Sequence, residues 1–92
     1  MLVAPAEFTA TAGDAAGEID VHWDRVPGAR SYEVQTTTDP GGATGWMSGA
    51  VSTKSKASVT GLTSGTQFAL RARAIGASGA GPWSQVVIKR AP

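Results

Sequence analysis

GLTSGTQFALRARA, residues 61–74, sets a turn of small residues directly before a run in which Phe68, Leu70, Ala72 and Ala74 alternate with Ala69, Arg71 and Arg73. A period of two places the first set on one face of a strand and the second on the other. Leu62 stands just before the turn as a plug for an apolar interior. This arrangement predicts a chain that arches from one sheet into another and then runs as a long strand with its arginines outward.

Working outward, turn clusters punctuate short alternating segments throughout, and no stretch of a dozen residues keeps a 3.6-residue apolar period. A first strand is expected over 6–12, where Phe8, Ala10 and Ala12 alternate with Thr9 and Thr11, followed by the turn GDAAG. Ile19, Val21 and Trp23 alternate with Asp20, His22 and Asp24 as a half-buried second strand. Pro27 and Gly28 mark the next loop, and Tyr32, Val34 and Thr36 begin a third strand. A weaker strand covers 46–51, and Ala57 and Val59 mark a short fifth one. After the long strand GASGAGP reads as a glycine-rich loop, and 85–89 forms the last strand. Seven strands with turn signals every eight to twelve residues predict an all-β, immunoglobulin-like sandwich.

Composition narrows function. A chain of 92 residues supports one core, so 1–92 is read as a single domain with linker-like termini at 1–5 and 90–92. Eight Lys and Arg against seven Asp and Glu give a net charge of +1, which offers no basic field for nucleic acid. No apolar run approaches the roughly 20 residues that span a bilayer, so membrane insertion is not expected. The start MLVAPAEF lacks the charged and apolar regions of a signal peptide. Cysteine is absent, which removes disulfides and thiolate metal sites; asparagine is absent, which removes every N-glycosylation acceptor. The abundance of Ala and Gly is the usage of a GC-rich bacterial genome.

Four motifs in order resemble the fibronectin type III family across essentially the whole chain. Trp23 in IDVHWD is similar to the family's buried second-strand tryptophan, and SYEVQ at 31–35 to its third-strand signature. GLTSGTQFALRARA resembles the Leu-x-Pro-Gly-x-x-Tyr corner with its long sixth strand, and GAGPWS at 79–84 resembles the approach to the last strand. Two departures stand out: Ser64 where the family has Pro, and Phe68 where it has Tyr. The corner tyrosine's hydroxyl returns to the backbone, so Phe68 implies ring burial without that hydrogen bond. Ala72 and Ala74 leave volume in the interior, for which Trp23 and Tyr32 are the expected fillers.

The resemblance implies a non-catalytic structural spacer or display module of a larger multidomain protein that is extracellular, on a cell surface or in a virion. Its partners would then be the neighbouring domains, with the domain itself monomeric. The alternative is an adhesion module whose loops 25–30 and 76–82 meet a protein or glycan; those loops hold mostly Gly, Ala and Ser, with few aromatic anchors.

No catalytic, cofactor-binding or metal residue is assigned. Asp20, His22 and Asp24 share one strand face, but successive outward Cβ atoms lie about 6–7 Å apart on an open sheet, wide for a tight ligand set. They read as a solvated face with Lys56, Ser58 and Thr60 beside them. His22 is the chain's single histidine, no Gly-x-Ser-x-Gly elbow occurs, and the GASGAGP glycines lack a P-loop's spacing and read as a hairpin connection. No Arg-Gly-Asp precedes Trp83.

Trp83 with Arg71 and Arg73 is the most informative set. Related cytokine-receptor modules stack the Trp of a Trp-Ser motif on sixth-strand arginines. Trp83-Ser84 is similar to half of that motif, with Val86 and Val87 where its second Trp-Ser would stand. A cation–π stack is expected, and an exposed binding aromatic is the alternative. Glu33 is expected beside Arg71. Trp46 is read as capping the core or contacting ligand, the two remaining open.

Overall fold

The computed structural model describes residues 2–13, 15–38 and 45–92. Two sheets enclose one apolar core. β1 (Thr9–Ala12), β2 (Ile19–His22) and β5 (Lys56–Val59) form the smaller sheet in the order β1-β2-β5. The larger has the order β4-β3-β6-β7, built from β3 (Ser31–Thr37), β4 (Met47–Ser52), β6 (Gln67–Gly76) and β7 (Gly79–Trp83). β8 (Val87–Arg90) pairs with β6 as well. All pairings are antiparallel. The all-β sandwich expected from the alternation is thus present, with eight strands among the described residues in place of seven.

The additional strand is β7. GASGAGP, expected as a glycine-rich hairpin connection over 76–82, is a hairpin tighter than that reading, since β6 continues through Gly76 and pairing resumes at Gly79. Glycine does not prevent pairing when the turn is this short, and Pro82 is tolerated because it lies on an edge strand. Residues 84–86 then interrupt the pairing before β8 takes over the other half of the same β6 edge. Ser84 bridges the gap. Its amide donates to the Ala72 carbonyl at 2.7 Å, and its hydroxyl oxygen accepts from the Ala72 amide at 3.0 Å. A buried side chain thereby supplies the acceptor that a regular ladder would take from backbone.

Ile19, Val21 and Trp23 from one sheet meet Tyr32, Val34, Phe68, Leu70, Ala72 and Ala74 from the other, all buried. Tyr32 is the register partner of Ala74, and the Trp23 ring meets it edge-on at 5.2 Å. Phe8 tilts against the other side of Trp23 at 6.0 Å. Large aromatics and small alanines therefore complement one another, as close packing requires. β1 is shorter than the expected 6–12: Phe8 is buried, whereas Ala12 lies exposed at the strand's end.

The segments read as linker-like are partly built into the fold. Pro5 is buried, and Leu2 packs against the core beside Gly76 and Gly81. A Cβ on Gly81 would lie 2.8 Å from that of Leu2, so only glycine leaves room for this strap. At the other terminus Ala91 is buried and exchanges backbone hydrogen bonds with Thr66 and Gly65 at 2.9 and 2.8 Å, while the Pro92 carbonyl accepts from Gly17 at 2.8 Å.

Candidate functional site

The outward face of the larger sheet gathers the charged and aromatic residues that alternation expels from the core. Register pairs Glu33 with Arg73 and Gln35 with Arg71. Arg73 binds Glu33 Oε1 through Nη2 at 2.7 Å and Nε at 2.8 Å. Arg71 donates to Gln35 Oε1 from Nη2 at 2.8 Å and Nε at 3.3 Å. The expected Glu33–Arg71 pair is therefore displaced by one outward position, because the inward pair of Val34 with Ala72 fixes the register.

Trp83 reaches this face through a bulge. Ile75 pairs with Ala80 but Arg73 pairs with Trp83, so β7 carries one extra residue over that interval. Without it Pro82 would lie opposite Arg73 and Trp83 would turn to the core side. Re-aiming a side chain in this way is a common role of bulges.

The Arg71 guanidinium carbon lies 4.0 Å from the Trp83 ring centroid and 4.1 Å from that of Trp46. Arg73 stands 4.4 Å from Trp83. The expected stack of Trp83 on both arginines is present, and Trp46 joins it at the far end. Burial first, then the charge of Arg73, lowers the Arg71 pKa from its ordinary value, with Glu33 acting in the opposite sense. Such a ladder holds side chains rigid on a flat face. It has neither a nucleophile nor a concavity to exclude water, so its direct effect is to fasten β3, β6, β7 and the start of β4 to one another.

A second region lies at the end of the sandwich holding the β2–β3 loop and the β6–β7 hairpin. Residues 76–82, Leu2, Pro27 and Gly28 line an open cleft of about 480 Å³ there. A smaller cleft of about 240 Å³ runs between Arg25, Ala29 and Tyr32 on one side and Thr53, Lys54 and Ser55 on the other.

Asp20, His22 and Asp24 do not converge. Asp20 accepts a hydrogen bond from Ser58 at 2.8 Å, and His22 faces Lys56 across the β2–β5 pair. Among the described residues no group of three or more His, Cys, Asp or Glu could hold a metal ion.

The sequence profile of the fibronectin type III domain matches residues 3–90. The chain belongs to the fibronectin type III family. Solved structures agree on the fold. A fibronectin type III-like protein from Clostridium thermocellum superposes with a TM-score of 0.82 at 24% identity, covering 100% of this chain and 93% of that one. The FN5 domain of Drosophila Lar gives 0.81 at 22% identity, covering 100% and 98%. The twitchin kinase region from C. elegans gives 0.83 at 18% identity; 99% of this chain matches 17% of that longer one. No curated protein matches the chain. Fibronectin type III domains are commonly structural or binding modules of multidomain proteins and are generally non-catalytic.

Within this fibronectin type III domain the corner is well formed despite its two departures. Phe68 is buried, and the turn is closed by the Thr66 amide donating to the Thr63 carbonyl at 3.1 Å. Leu62 packs at the edge of the core, its amide bound to the Gly17 carbonyl at 3.1 Å. The third-strand Tyr32 has a role the sequence did not disclose: its hydroxyl oxygen accepts from the buried Val26 amide at 2.9 Å, tethering the β2–β3 loop. The Trp23 Nε1 is a buried donor with no partner among the described residues.

Proposed function

We propose that this fibronectin type III domain is a non-catalytic spacer or display module in a larger extracellular, cell-surface or virion protein. It works there as a monomeric link between neighbouring domains. The observation carrying this reading is the placement of the two chain ends. Leu2 packs beside Gly76, at one end of β6, and Arg90 pairs with Gln67 at the other. Ten residues of strand separate them, about 30 Å at about 3.3 Å per residue, in a molecule 37 Å along its longest axis. A chain that enters at one end and leaves at the other adds nearly the full domain length to whatever it joins. Docking of both ends against the fold limits slack at the joints.

The loop-binding alternative receives less support. The cleft formed by residues 76–82 with Leu2, Pro27 and Gly28 contains no aromatic or charged residue, and hot spots are built mainly from Trp, Tyr and Arg. Small-angle X-ray scattering on a chain of two tandem copies tests the spacer. The expected result is an elongated particle whose maximum dimension grows by close to one domain length. A folded-back, compact pair would sink the reading. A glycan array and a purified-protein binding panel test the alternative directly.

A further inference from the structure

The geometry points to a binding site for a tetrahedral oxyanion, a sulfate or phosphate group, in the small cleft between the β2–β3 loop and the β4–β5 turn. Arg25 and Lys54 line the cleft with the hydroxyl residues Thr53 and Ser55, and no carboxylate is among the lining residues. The arginines of β6, Arg71 and Arg73, are held by Gln35 and Glu33. The Arg25 guanidinium and Lys54 ammonium, by contrast, have no ion pair or hydrogen bond among the described residues. Two cations with no charged partner among the described residues therefore open onto one concavity, where the field is stronger than on a convex surface.

The floor supplies an independent observation. Tyr32 is only 3% exposed yet lines the cleft. Its hydroxyl oxygen accepts from Val26, and the hydroxyl proton has no acceptor among the described residues. A guanidinium fork, an ammonium and up to three hydroxyl donors match the acceptor-only oxygens of a tetrahedral anion. A planar carboxylate offers two oxygens and would use fewer of these donors. The inference rests on the cleft alone and stands or falls separately from the spacer reading.

The test is titration of the ¹⁵N-labelled domain with sodium sulfate and, separately, sodium phosphate at constant ionic strength, with sodium acetate as control. Saturable shifts at the amides of residues 25–29 and 53–55, stronger for sulfate and phosphate than for acetate, are expected. Arg25→Ala and Lys54→Ala should each weaken binding severalfold and their combination abolish it, while Lys89→Ala at the opposite end leaves it unchanged. Both cations are exposed, so these variants are expected to fold. Sulfate and phosphate saturating alike assign a site for the shared oxyanion chemistry. Saturation by one alone restricts the site to that ester type. Shifts that are linear and spread over all basic residues, or that persist in the double variant, would overturn the proposal.

Discussion

Trp83→Ala removes the ring that both arginines flank and is the sharpest test of the ladder. The indole makes two guanidinium contacts, at 4.0 and 4.4 Å, each contributing about 0.5–1 kcal/mol at partly exposed sites. Loss of the half-buried ring's apolar contact adds about 1 kcal/mol, well below the figure for a fully buried side chain. The expected loss is about 2–3 kcal/mol, a drop in Tm of roughly 10–20 °C for a domain of this size. The assay is urea unfolding followed by far-UV circular dichroism, with m unchanged. Guanidinium chloride is unsuitable because its cation competes for the indole faces. A double-mutant cycle of Trp83→Ala with Arg71→Met isolates the stack, and a coupling of about 0.5–1 kcal/mol is expected. A total loss below about 0.5 kcal/mol, the level of an ordinary surface substitution, or a coupling of zero, would refute the reasoning.

Three further predictions concern the frame. Phe68→Tyr restores the family's corner hydroxyl and should raise stability by about 1 kcal/mol, read as a higher unfolding midpoint; a lowered midpoint would mean that the backbone has settled around the phenyl ring. Ser84→Ala strips the acceptor from the buried Ala72 amide and should cost about 1–3 kcal/mol, with faster hydrogen exchange at Ala72 as its local signature. Gly17→Ala forces a side chain into the left-handed region at φ 76° and against the Leu62 carbonyl. It should cost more than about 2 kcal/mol by thermal unfolding, whereas Gly65→Ala, with open space around it, should show only the conformational cost of about 1–2 kcal/mol.

The sandwich was legible because its signals are local: period-two alternation in β2, β3 and β6, and a corner sequence that fixes how they connect. Trp83 and its arginines were legible for the same reason, since all three belong to recognisable motifs. What escaped depended on register. The Glu33–Arg73 pairing follows from which residue of β3 lies opposite which residue of β6, and a strand's own sequence does not state that. Trp46 could be placed on the ladder only once β4 was laid beside β3. The hairpin connection at GASGAGP was legible, but its tightness at Ala77–Ser78 and the strand beyond it were not, because glycines serve loops and tight turns equally. The strap at Leu2 left a faint signal in three glycines, at 28, 76 and 81, that surround it without being near it in sequence.

The way β8 lies against β6 has a mechanical consequence. Both terminal strands run parallel to the line joining the chain's two ends: β1 beside β2, and β8 beside the first residues of β6. Tension applied through those ends pulls each terminal strand along its own length, so its four register pairs with the neighbouring strand share the load together and do not open one after another. In the proposed spacer role, the domain would in this way also keep its neighbours joined under tension. Single-molecule pulling through the termini should record a higher unfolding force than pulling across the β6–β7 hairpin, and equal forces would contradict it.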